Sequence, residues 1–203
     1  MSEQKETLDR AVRIRIRSVQ YDYRESLSDR IARLEQKREE AADDSEESSE
    51  LYDEKACGDA GMPYEMVTEG RLRMRGNLCE LSYMERDEDG LEDTRSTLVF
   101  SRSRPSVLTL TRSGVTRMTL SFEEGRHHIG SYSLGAMQRL LSDRPSLMVA
   151  SYARRVENRI LDGGTLTLDY IIEVRGMDTQ RTVFSLSVDE LPLVPSGFSG
   201  GDA

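Results

Sequence analysis

From Ala11 to Gln20, the apolar residues Val12, Ile14 and Ile16 alternate with Arg13, Arg15 and Arg17. Successive side chains on a strand point to opposite faces, so a period of two predicts a half-buried strand with a basic outer row. The period then changes. Leu27, Ile31 and Leu34 fall at i, i+4 and i+7, a narrow helical stripe. Ser26 with Asp29 reads as a capping box, and Asp29 with Arg33 as a favourable i, i+4 pair. The run Asp43 to Glu54 is too charged to pack, so residues 24–62 read as an acidic insertion, helical and then disordered.

From Tyr64 onward the period of two returns. Tyr64–Met74, Leu78–Glu85, Thr94–Ser101, Val107–Arg112, Val115–Glu123, Arg126–Ser133 and Leu147–Arg154 each read as strands. In the next strand Leu166, Leu168, Tyr170, Ile172 and Val174 share one face, and Arg181–Val188 closes the series with Phe184, Leu186 and Val188 inward. Gly76-Asn77 and Glu124-Gly125 mark turns, and Ser113-Gly114 has the spacing of a two-residue hairpin. Alternation with one apolar face predicts antiparallel pairing. About ten strands joined by hairpins favour a meander that closes on itself and so removes its exposed edges. The expected fold is all-β: one antiparallel barrel domain over residues 1–203. Residues 11–20 are its first strand, 64–188 the rest, and 189–203 a loose tail.

Several motifs carry a family resemblance. They are Met66-Val67-Thr68-Glu69-Gly70, Leu81-Ser82-Tyr83-Met84-Glu85 and Leu110-Thr111-Arg112-Ser113-Gly114. Met118 through Phe122, Gly125, Tyr132 with Gly135, and Gly164 followed by Leu166 to Tyr170 extend the series. In this order the chain resembles the YwiB-like bacterial domain-of-unknown-function family (DUF1934). The resemblance implies a calycin-like, or lipocalin-like, barrel and a bacterial origin, and brings no activity with it. Residues 24–62 would be an insertion relative to that family, and Ser133–Leu141 lacks its Pro-Tyr-Gly run.

Composition narrows the function classes. The net charge is −9, yet residues 24–59 alone hold thirteen acidic and six basic residues. The near-neutral remainder offers no cluster of Lys and Arg to replace phosphate counterions, so nucleic acid is not an expected partner. No apolar run reaches the roughly 18 residues of a spanning helix, and the first ten residues lack a signal-peptide core. A cytoplasmic location is therefore expected, with no membrane partner. Cys57 and Cys79 then read as free thiols.

Candidate chemistry is sparse. His127 and His128 are the only histidines, and neighbours on a strand face opposite sides, so they are not expected to share a metal. No nucleophile elbow or Cys–His signature appears, and Gly163-Gly164 leads into a strand rather than a helix N-terminus. No cofactor is expected and no catalytic residue is assigned. Glu85 shares a face with Leu81 and Tyr83, and Arg112 one with Leu108 and Leu110. If those faces point inward, both charges enter the barrel and must pair or meet a ligand, because an unpaired buried charge is costly. A partly solvated ion pair at the barrel mouth is the plainer alternative. Tyr83, Tyr132, Tyr152 and Tyr170 could fill the core or line a cavity. Arg71, Arg73 and Arg75 could join Arg13, Arg15 and Arg17 in an outer basic patch.

The candidate ligand-binding set is Tyr83, Glu85, Arg112, Tyr132 and Tyr170. The expected function is a non-enzymatic barrel holding a small apolar or amphipathic molecule. The alternative is an interaction protein, acting on a protein partner or a second copy through its outer surface and residues 24–62.

Overall fold

Alternating apolar and polar positions become ten antiparallel strands. The computed structural model describes residues 7–22, 61–86, 93–114, 117–133, 147–174 and 179–191. Strand β1 (Thr7–Asp22) is followed by β2 (Met62–Arg75), β3 (Leu78–Arg86), β4 (Asp93–Ser101) and β5 (Arg104–Ser113). Then come β6 (Arg117–Glu123), β7 (His127–Ser133), β8 (Leu147–Arg159), the single helical turn α1 (Ile160–Gly163), β9 (Thr165–Val174) and β10 (Thr179–Glu190). Each strand pairs with its sequence neighbours, and β1 pairs with both β2 and β10, so the sheet closes into a barrel. The expected closed meander is thus the observed one.

Two differences from the sequence reading stand out. First, β8 runs on to Arg159 rather than ending at Arg154. The register shifts between Ala153 and Arg155, so one extra residue flips the parity and hides the strand from a period-of-two reading. Val156 resumes the inward row beside Ala153, opposite Leu168 and Tyr170. Second, the last β5–β6 pair is Ser113 with Arg117, so the connection has three residues rather than two. The acidic helical insertion read over residues 24–62 lies outside the described residues, apart from Gly61 and Met62, and Met62 already begins β2.

The inward rows form one apolar cluster. Ile14, Leu81, Leu98, Leu108, Leu120, Phe122, Leu166 and Leu168 are fully buried within it, and the Phe122 and Tyr170 rings lie 4.7 Å apart at 53°. Interiors pack at close to crystal density, so these side chains fill this part of the barrel. Turns pin the register. Gly76 takes φ 61° in the β2–β3 turn. Its neighbour Asn77 donates from Nδ2 to Ser101 Oγ (2.7 Å) and Ser103 Oγ (2.9 Å), and accepts from the Ser103 N–H, joining two turns. At the end of α1, Gly164 has φ 65° and its carbonyl accepts from the Val188 N–H at 2.6 Å. A Cβ there would sit 2.5 Å from the Val188 carbonyl oxygen, so only glycine fits.

The outer face corrects the expected basic patch. Register sets Arg13 between Glu69 and Asp189, and Arg17 beside Glu65 at 3.0 Å. Asp9 takes a two-pronged hydrogen bond from Arg71, which holds its carboxyl below the usual carboxylate range. Acids from neighbouring strands thus interleave with the arginines, and no unbroken basic stripe forms among the described residues.

Candidate functional site

The inward rows of β3, β4 and β5 turn polar at the same end of the barrel. On β3 the row reads Cys79, Leu81, Tyr83, Glu85; on β4, Phe100, Leu98, Ser96, Thr94; on β5, Leu108, Leu110, Arg112. The ladders place Tyr83 opposite Ser96 and Ser96 opposite Arg112, so the polar ends meet. Glu85 accepts from Ser96 Oγ on Oε1 and from Arg112 Nη2 on Oε2. The Glu85 side chain is 15% exposed and that of Arg112 is 41% exposed. This is an ion pair at the barrel mouth, with the carboxylate largely buried and the arginine side chain partly exposed. Arg112 Nε is buried and has no acceptor among the described residues.

Two tyrosines form the floor. Tyr83 and Tyr170 are both buried, and Tyr170 faces the pair from β9, close enough for the charges of Arg112 and Glu85 to act on its hydroxyl. Burial pushes the Tyr83 phenol well above its ordinary 10.0, with Glu85 reinforcing and Arg112 opposing. Burial likewise raises Tyr170, opposed by a hydrogen bond with Thr182. Both therefore remain neutral hydroxyls at physiological pH. Gly70 faces Tyr83 across the β2–β3 ladder, where a Cβ would meet Ile14 Cδ1 at 2.5 Å and the Ser82 carbonyl oxygen at 2.6 Å.

Apolar side chains stand on the next strands. Met118 lies opposite Arg112 on β6, and Tyr132 lies opposite Met118 on β7. With Met66 and Ile172 they are partly buried and pack against the core cluster. Of the residues singled out in the sequence, Tyr83, Glu85, Arg112 and Tyr170 come together, and Tyr132 joins through Met118. Tyr152 does not. It sits on the outer face, its ring 4.6 Å from that of His127. Its parity follows from Ser151 and Ala153, whose register partners His128 and Tyr170 point inward. The two histidines accordingly lie on opposite faces. Ser96 and Thr182 were missed, although each is a polar residue on an apolar strand face, which was the available signal.

These side chains can hold an apolar body and meet a polar group, but they assemble no nucleophile–base pair. Among the described residues there is no group of three or more His, Cys, Asp or Glu that could hold a metal ion. No helix among them is long and apolar enough to cross a membrane.

Comparison with known proteins agrees with this architecture. The crystal structure of the ywiB protein from Bacillus subtilis is similar, with a TM-score of 0.51 at 13% identity, covering 88% of this chain and 92% of that one. That likeness concerns the fold. Among curated proteins nothing matches the chain. The family model described as "Domain of unknown function (DUF1934)" matches residues 53–186, from before β2 into β10, and it is to this family that the chain belongs.

Proposed function

We propose that the protein is a non-enzymatic, calycin-like binding barrel of the bacterial cytoplasm that takes a small amphipathic molecule at its mouth. The observation that carries this reading is the Glu85–Arg112 pair with its partly exposed arginine, beside Met118 and Tyr132 on β6 and β7. Methionines adapt to varied apolar shapes, and tyrosine combines an apolar body with a polar tip. The packed middle of the barrel favours a shallow site at the mouth over a deep central cavity. A reducing compartment suits the free, buried thiol of Cys79.

Nile red, an uncharged dye that brightens in apolar surroundings, tests the reading. Binding to the wild-type protein should be weakened strongly by Met118→Gln and Tyr132→Gln. The outer-wall variant Ile129→Gln should leave it unchanged. Absence of dye binding, or undiminished binding by both the Met118 and Tyr132 variants, would contradict the reading.

A second reading has one observation in its favour. On the outer wall Ile129 is 77% and Met148 64% exposed, on the paired strands β7 and β8. Exposed apolar side chains of this size suit a protein contact. Loss of self-association or partner capture in an Ile129→Gln/Met148→Gln variant would favour it.

A further inference from the structure

If the mouth binds an amphiphile, as proposed above, its charges also constrain the head group of that ligand. Glu85 and Arg112 already neutralise one another, and Ser96 occupies the second carboxylate oxygen. A carboxylate or phosphate brought to Arg112 would face Glu85 on the far side of the same guanidinium. An ammonium brought to Glu85 would face Arg112. Like charges juxtaposed in a partly desolvated site are strongly unfavourable. The Arg112 side chain stays 41% exposed while paired, and a guanidinium has N–H donors to spare, so it can still meet an acceptor that carries no charge. The Tyr83 and Tyr170 hydroxyls at the floor are neutral and add no charge of their own.

We infer that the mouth selects amphiphiles with an uncharged, hydrogen-bond-accepting head, such as an alcohol, ketone or amide, over carboxylates and ammonium ions of equal chain length. The Glu85–Arg112 pair would then act as a charge filter. Met118 and Tyr132 would receive the apolar chain.

The test displaces Nile red from the full-length protein with decanol, decanoate and decylammonium near neutral pH, below their aggregation limits. Decanol is intrinsically the most apolar of the three, so the readout is the change in relative affinity between variants. In Glu85→Gln the guanidinium loses its counter-charge, and decanoate should gain at least about tenfold on decanol relative to wild type. In Arg112→Met the carboxylate is freed, and decylammonium should gain by a similar factor. Ratios that do not move in either variant would overturn the charge filter while leaving the binding site standing. Decanoate displacing better than decanol from the wild type would do the same. If none of the three displaces the dye, the binding reading falls and this inference with it. Urea midpoints measured on both variants separate lost selectivity from lost folding.

Discussion

Replacing Arg112 by Met removes the cation from Glu85 while keeping most of the apolar stem in place. Its cost follows from the surroundings of the carboxylate. An exposed pair is worth at most about 1 kcal/mol, whereas breaking a fully buried one costs about 3–5 kcal/mol. Glu85 is 15% exposed and retains Ser96 as a donor, so Arg112→Met should cost about 2 kcal/mol. Glu85→Gln should cost less, about 1 kcal/mol, because the 41%-exposed guanidinium can recover water and the amide can still accept a hydrogen bond. In the double variant neither charge needs a partner, and the loss should again be about 1 kcal/mol. The singles therefore sum to about 3 kcal/mol against about 1 for the double, a coupling of about 2 kcal/mol. Urea unfolding followed by circular dichroism measures all three, with free energies extrapolated linearly. A double variant that loses the full sum of the singles, within about 0.5 kcal/mol, would refute the description of the pair as a coupled, half-desolvated unit.

Other parts of the barrel give sharper structural tests. Gly76→Ala and Gly164→Ala both place a side chain at positive φ, which costs about 1–2 kcal/mol, but only Gly164 also meets a backbone oxygen at 2.5 Å. Gly164→Ala should therefore lose clearly more stability than Gly76→Ala, and equal losses would mean that Val188 moves aside freely. Phe122→Ala empties the centre of the cluster and should cost about 3–5 kcal/mol in urea unfolding. The buried tyrosines set an alkaline limit. Tyr83 and Tyr170 are raised above their ordinary 10.0 when folded, so stability is complete below pH 10 and falls as the unfolded chain ionises above it. Absorbance titration should show Tyr83 and Tyr170 ionising only with unfolding, and Tyr83→Phe/Tyr170→Phe should extend the stable range upward.

Much of this fold was legible because a closed barrel writes its inside and outside into every strand. Val12, Ile14 and Ile16, or Leu166, Leu168 and Tyr170, reveal their face without reference to any neighbour. Where parity broke, the sequence misled. The extra residue near Arg154 shifts β8 onto the opposite alternation, so a strict period of two ends the strand there. The meeting of Glu85 and Arg112 followed from faces alone. Their company did not, because Ser96 and Thr182 are small polar residues whose position opposite Tyr83 and Tyr170 depends on register. Register also undid the basic patch. The arginine rows of β1 and β2 do share a face, but Asp9, Glu65 and Glu69 come between them. The unequal exposure of Glu85 and Arg112 was invisible to sequence, since it depends on where each residue falls along its strand relative to its neighbours.

Binding at the mouth is tested most directly by where a ligand touches the protein, and the methionines report on that. Met66 and Met118 sit at the mouth, Met74 is buried beside Cys79, and Met148 lies on the outer wall. Labelled methionine methyl groups, followed by NMR during titration with decanol, resolve these locations in one experiment. A ligand held at the mouth should give saturable shifts at Met66 and Met118, with Met74 and Met148 unmoved. Shifts confined to Met148, or no saturable shift at either mouth methionine, would contradict it.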